Sequence, residues 1–304
     1  MGGGLAGHEL AAAVSAAGGL GMIGFLAPAQ LSREIAAARA LTAAPLAVNL
    51  LLPFARSAHF QVAAEADAVV TFWGRPVRRT PRIWLHQCGS VQEALLARAA
   101  GADGVILQGV EAGGHVRGKL PAAELLRAAR GALPDDYPLL SAGGIAVASD
   151  ASARLAAGAA AVVCGTRFLA SEESRAHPLY KQRLLTSRET VLTELFGLGW
   201  PAPHRVLENE ATARWLAAGR RGPAWLRGLQ RASGPLLARG PMQLQLRLAA
   251  AQRARAPFFG PLPASAEGSP ELVEAGPLYA GECVRRIENI QPAGGLVRDL
   301  SPRA

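Results

Sequence analysis

The first 187 residues alternate short, uninterrupted apolar runs with segments of helical period, and this rhythm constrains the fold more than any other feature. The apolar runs are Leu20–Gly24, Pro45–Leu52, Ala68–Trp73, Ile83–Cys88, Gly104–Gln108, Leu139–Ala142 and Ala161–Cys164. A strand with one wet face would alternate apolar and polar residues. Continuous runs are what burial on both faces produces, and strands interleaved with helices build a parallel sheet with the helices outside. Apolar residues three and four apart mark helices over His8–Ala17, Leu31–Leu41, Val91–Ala100, Ala122–Ala132 and Ser149–Ala157. The rhythm predicts an α/β fold of the TIM (β/α)8-barrel type with its first strand missing. An open dinucleotide-binding sheet fits less well, since no GxGxxG turn follows the first strand. Only Gly74–Arg82 separates two of the strands, and a parallel crossover usually takes about a dozen residues, so one outer helix is shortened or absent.

From about Arg188 the rhythm stops. Helical stretches at Ala211–Ala218, Ala224–Arg231 and Gln243–Arg253 are broken by Pro and Gly, and a Pro-rich segment, Pro257–Pro270, follows. The expected division is a barrel of residues 1–187 and 277–304, with a small helical subdomain, 188–276, near the active site. Net charge is +9, from 32 basic and 23 acidic residues. Nine arginines and no acidic residue lie between Ala211 and Ala266, so the excess sits in one stretch whose field would attract an anion. The three cysteines, Cys88, Cys164 and Cys283, show no metal-ligand spacing and suit reduced thiols in a cytoplasm. No membrane span or signal peptide is readable, and no metal site is expected.

Three clusters fall at predicted strand ends, where barrel enzymes place their chemistry. The first is Gln108-Gly109-Val110-Glu111-Ala112-Gly113-Gly114-His115. Its glycines let backbone approach a flat ligand, and His115 can carry a proton near neutral pH. The second, Ser141-Ala142-Gly143-Gly144-Ile145, and the third, Cys164-Gly165-Thr166-Arg167-Phe168, follow the strands that would be seventh and eighth in a full barrel. Bare backbone N–H groups there make the usual phosphate cradle, with Thr166 as a further donor. Asn49 and Gln87 are polar within apolar strands; an amide at a barrel mouth can bond the edge of a planar heterocycle, and equally can be satisfied by backbone. The arginine-rich runs lack an RNA-binding pattern and read as solvated basic faces.

These motifs resemble the nitronate monooxygenases, a family of flavin-dependent barrels. The resemblance covers nearly the whole chain: GGLGMIG at Gly18–Gly24, VNL at Val48–Leu50, QGVEAGGH at Gln108–His115 and SAGGI at Ser141–Ile145. It continues through GTRFLASEES at Gly165–Ser174, HPLYK at His177–Lys181, GLGWPAPHRV at Gly197–Val206 and YAG at Tyr279–Gly281. It implies FMN as cofactor, with Ser141, Ala142, Gly143, Gly144, Gly165 and Thr166 at the phosphate, Asn49, Gln87 and Gly113 at the flavin, and Met1 and Gly2 in a loop beside it. Relatives often carry Lys at the Gln87 position. His115 matches the active-site histidine, as base or as orienting group, and Tyr279 is the substrate-side candidate. The implied reaction is FMN-dependent oxidation of alkyl nitronates by O2 to a carbonyl compound and nitrite. The implied partners are a small-molecule nitronate and O2, with no nucleic acid, no membrane, and a homodimer as the expected assembly. Flavin-type enoyl-acyl-carrier-protein reductases, which use NAD(P)H, share the EAGGH, AGGI and GTRF elements and are the alternative. A remote third reading, a non-catalytic basic nucleic-acid-binding protein, requires the glycine loops to hold nothing.

Overall fold

The structure is a computed structural model, and it describes residues 3–239, 247, 250–256 and 259–301. Met1 and Gly2, expected at the cofactor, lie outside the described residues, as does most of the helix expected over Gln243–Arg253.

The chain runs α1 (His8–Ala16), β1 (Gly21–Ile23), α2 (Pro28–Leu41), β2 (Leu46–Leu51), α3 (Ser57–Ala63), β3 (Ala68–Phe72), β4 (Ile83–Cys88), α4 (Val91–Ala99), β5 (Gly104–Gln108), β6 (Gly114–His115), α5 (Ala122–Arg130), β7 (Leu139–Ala142), α6 (Ala148–Ala156), β8 (Ala161–Val163) and α7 (Thr166–Leu169). It continues with α8 (Pro178–Thr186), β9 (Val191–Thr193), β10 (His204–Val206), α9 (Glu210–Trp215), α10 (Ala224–Arg239), α11 (Glu271–Ala275), a 3-10 helix (Glu282–Arg286) and α12 (Ala293–Leu300). Seven strands form one parallel sheet in the order β1-β2-β3-β4-β5-β7-β8, so β1 and β8 are its two edges. This is the barrel expected, lacking, among the described residues, one strand between those edges. No helix separates β3 from β4.

Strand register sorts every side chain to one of two faces. Val70, Leu85, Ile106 and Ala142 pack inside the curl, with Met22, Leu140 and Val163 against them. Cys88, Val105, Leu107 and Leu139 face outward onto α4 and α5. Where the sheet lacks a strand, α12 lies over α1 and packs Leu296 and Val297 against Leu10 and Phe168. The Arg175 guanidinium spans the same seam. It binds Glu9 of α1 at 2.7 Å and Glu34 of α2 at 2.8 Å. Burial raises the Glu34 pKa, but the bonds from Arg175 and His8 outweigh it and hold the carboxyl below its ordinary value.

Several elements depart from the sequence reading. Helix α3 is new, and at seven residues it is too short to show a clear period. Helix α10, expected to stop at Arg231, runs on through Gly234 and Pro235 to Arg239. Proline costs it one backbone bond, but the docked face offsets this: Gln230 donates to the Leu195 carbonyl at 2.6 Å and Leu226 is buried. The stretch 188–276, expected to be helical, opens with two strands, β9 and β10. They form a small antiparallel sheet with β6 in the order β6-β10-β9.

On the outer face Trp84 Nε1 donates to Thr71 Oγ1 at 2.8 Å, and Thr71 Oγ1 lies 2.8 Å from His86 Nδ1. Burial pushes the His86 pKa down to about 4. Its contribution to stability is therefore complete above about pH 6.5, the unfolded value, and is lost as pH falls toward 4. Urea unfolding should show stability lower by ~2 kcal/mol at pH 5 than at pH 7.5 from this residue alone. His86→Leu should flatten that part of the pH profile.

Candidate active site

The site lies at the carboxyl ends of the strands, where three loops and the C-terminal return meet. The loop after β5 carries His115. Gln108, the last residue of β5, holds both sides of that loop: its Nε2 donates to the His115 carbonyl and its Oε1 accepts from the Arg117 N–H, each at 2.9 Å. Glu111 pins the loop from below, accepting from Ala122 N at the start of α5 and from Arg154 at 3.3 Å. From the other side Arg205 of β10 donates to the Val110 carbonyl at 2.8 Å.

His115 sits in β6, paired in antiparallel register with His204 of β10. Its imidazole stacks on Trp200, with ring centroids 3.6 Å apart and planes 14° from parallel. Tyr279 lies 5.5 Å away and His204 5.3 Å. Burial, then the neighbouring His204, push the His115 pKa well below its ordinary value, so the ring is neutral at pH 7. Its Nε2 is buried without a partner among the described residues. His204 is held differently. Its Nε2 accepts from Phe196 N at 3.1 Å, which leaves Nδ1–H to donate to the Ala202 carbonyl at 2.8 Å. One tautomer is thereby fixed, and burial lowers its pKa to about 4. His204 is a strut for β10, whereas His115 has a nitrogen to spare.

The glycine loops pack directly on the His115 loop. Gly143 and Gly144 take φ of +111° and +75°, conformations that favour glycine, and Gly143 abuts Ala112. The N–H groups of Gly143, Gly144 and Gly165 donate to no described residue. Thr166 Oγ1 accepts from Gly281 N at 2.9 Å, so its oxygen is already engaged by the C-terminal return. Gly113 and Gly281 cross so closely that a Cβ on Gly113 would stand 2.5 Å from Gly281 N. Gly113, Gly143, Gly144 and Thr166, with Gly165 next to it in the chain, thus come together around Glu111, Ala112 and Gly281.

Asn49 and Gln87 face the interior, in register with Val70 and Ile106. Neither amide has a hydrogen-bond partner among the described residues, so the alternative of a backbone-satisfied amide does not apply. Ala142 also faces inward. Ser141 does not: it shares a register position with Leu107 and Val162, on the face turned to the outer helices. Strand alternation allows only one of two adjacent residues to point inward, and here that residue is Ala142. Tyr279 reaches His115, but its hydroxyl donates to the Pro261 carbonyl at 2.7 Å, so it offers ring surface and no free donor. Sequence reasoning gave no role to Gln108 or Trp200, although both lie within quoted motifs, and it placed Trp73 only at the end of an apolar run.

A flavin fits these residues: free amides face the interior, free backbone N–H groups lie at the next two strand ends, and an unpaired imidazole nitrogen lies beside them. The family model for nitronate monooxygenase matches residues 1–83 and 75–302. The chain belongs to the nitronate monooxygenase family. It is 33% identical over 245 residues to a nitronate monooxygenase of Metarhizium robertsii, covering 66% of this chain and 68% of that protein. It is 39% identical over 150 residues to the nitronate monooxygenase of Pseudomonas aeruginosa, covering 42% of this chain and 41% of that protein. Among solved structures it matches FabK from Thermotoga maritima with TM-score 0.76 and 30% identity, over 99% of this chain and 90% of that one. It matches a nitroalkane oxidase from Streptomyces ansochromogenes with TM-score 0.76 and 28% identity, over 99% and 92%. The family places this protein among oxidoreductases, and its cofactor class is a flavin. Among the described residues no helix is long and apolar enough to cross a membrane.

Gly113→Ala should force Gly281 away from the His115 loop and loosen the glycine cradle. The purified variant should carry less than half the flavin of the wild type, measured by absorbance at 450 nm, with little change in far-UV circular dichroism.

Proposed function

We propose that the protein oxidises alkyl nitronates with O2, using FMN, to a carbonyl compound and nitrite. The observation that carries this reading is His115: a neutral imidazole with an unpaired nitrogen, walled by aromatic rings at the end of β5. Bound FMN would supply the electron-transfer and O2 chemistry. The N–H groups of Gly143, Gly144 and Gly165 would hold its phosphate, with Thr166 alongside. Asn49 and Gln87 would bond its ring system, and Gly113 would allow close approach. His115 would orient the substrate through an N–H donated to a nitronate oxygen.

His115 would also accept a proton from a neutral nitroalkane. Burial weakens it as a base, because a lowered pKa means lower proton affinity. Preformed nitronates are therefore the better substrates. With them, the part of the pH–rate profile that depends on His115 should be flat from pH 6.5 to 8, since the ring stays neutral throughout. His115→Ala should lose roughly 10²-fold or more on neutral nitroalkanes, the usual worth of a positioned base, and clearly less on preformed nitronates. Equal losses on both would reduce His115 to a binding group.

A second reading has its own support. FabK, a flavin enoyl reductase, matches this chain over 99% of its length. Anaerobic mixing separates the two. Propane-2-nitronate should bleach the flavin absorbance, and NADH alone should leave it unchanged. Rapid bleaching by NADH would favour the reductase, and a protein that takes up no FMN would sink both.

A further inference from the structure

Two ring nitrogens at this end of the barrel are buried without a partner among the described residues: His115 Nε2 and Trp73 Nε1. One residue links their rings. Trp200 lies face-on to His115 and meets Trp73 edge-on, with centroids 5.5 Å apart and planes at 79°. Trp73 directly follows β3, at the carboxyl end of the sheet.

Trp73 is unusual in its backbone as well. It is the only non-glycine residue with positive φ among the described residues, at +58°. A bulky side chain in the left-handed region is costly, and such strain collects where a side chain must be aimed for function. A buried indole N–H without an acceptor adds a second cost, one that phenylalanine would avoid in the same space. The Arg117 guanidinium lies 5.0 Å over the Trp73 ring while bound to Glu93 at 2.6 Å. A cation on the ring face withdraws electron density and makes the N–H a stronger donor. Strain, an unsatisfied donor and a polarising cation coincide on one side chain, which shares the Trp200 ring with His115.

We propose that the Trp73 indole N–H is a substrate-binding group, donating to one oxygen of a small planar two-oxygen anion held beside His115. This rests on the nitronate reading above and adds a second donor to it. His115 is neutral and brings no formal charge to the anion; the Trp73 N–H, backed by Arg117, supplies part of the missing complement. The site then selects for the nitronate over the neutral nitro compound by binding, independently of any base.

The test uses 15N-labelled, flavin-loaded enzyme and isobutyrate, a carboxylate that shares the shape of propane-2-nitronate but does not react. The chain has five tryptophans, so five indole N–H signals are expected. The signal missing in Trp73→Phe should move downfield and saturate as isobutyrate is added. If Trp73→Phe folds poorly, Trp200→Phe distinguishes the two indoles near the ligand by difference. Trp73→Phe should raise KM for propane-2-nitronate at least tenfold, with kcat changed less than about threefold. A Trp73 signal that stays still in an enzyme that turns over nitronate overturns the proposal, as does an unchanged KM. A signal that moves in an enzyme with no nitronate turnover keeps the anion site and removes the nitronate reading.

Discussion

The hydrogen bond from Gly281 N to Thr166 Oγ1 joins parts of the chain that lie 115 residues apart, and the site depends on it. Gly281 has no side chain, so its backbone can lie against Gly113, and Glu282 N then reaches the Glu111 carbonyl at 3.0 Å. The C-terminal return is thereby tied to the loop after β8 and to the loop after β5 at once. The loop after β5 has no regular structure at Glu111 and Gly113, whereas Thr166 opens the short helix α7. Their relative position is set by the return, which in turn places Tyr279 against His115.

A parallel sheet that lacks a strand exposes two edges, and unpaired edges invite aggregation. Here the seam between β1 and β8 is spanned by side chains. Arg175, beyond β8, grips Glu9 and Glu34 on the helices that flank β1, and Arg175 N also donates to the Leu5 carbonyl at 3.1 Å. Helix α12 covers the outside with apolar packing. Coulombic ties and helix burial stand where a ladder of backbone bonds would otherwise run.

Much of this was legible in the sequence. Continuous apolar runs such as Val105-Ile106-Leu107 carry their own signal, because burial on both faces leaves no room for polar residues. The glycine pair Gly143–Gly144 was readable for a similar reason, since positive φ selects glycine. Ser141 and Ala142 were harder. Both belong to one motif, and only register reveals that Ser141 faces the outer helices. The strands β9 and β10 were missed because Val191–Thr193 and His204–Val206, unlike the equally short β1 and β8, lie in no uninterrupted apolar run, and they are held by pairing with each other and with β6. Trp73 and Trp200 were missed because aromatic residues look alike in sequence whether they fill a core or line a site. What marks Trp73 is a backbone angle and an absent hydrogen bond, and neither leaves a trace in composition.

The pairing of β6 with β10 also bears on how such an enzyme changes over time. His115 belongs by chain position to the barrel, but its backbone is laddered to a strand of the inserted stretch, and its ring rests on that stretch's Trp200. The insert is therefore not an interchangeable cover. A chimera that borrowed this segment from a relative would import a new seat for the histidine together with new aromatic walls around it. The backbone pairing and the ring packing of His115 are inherited here as a single block, and divergence in one carries divergence in the other.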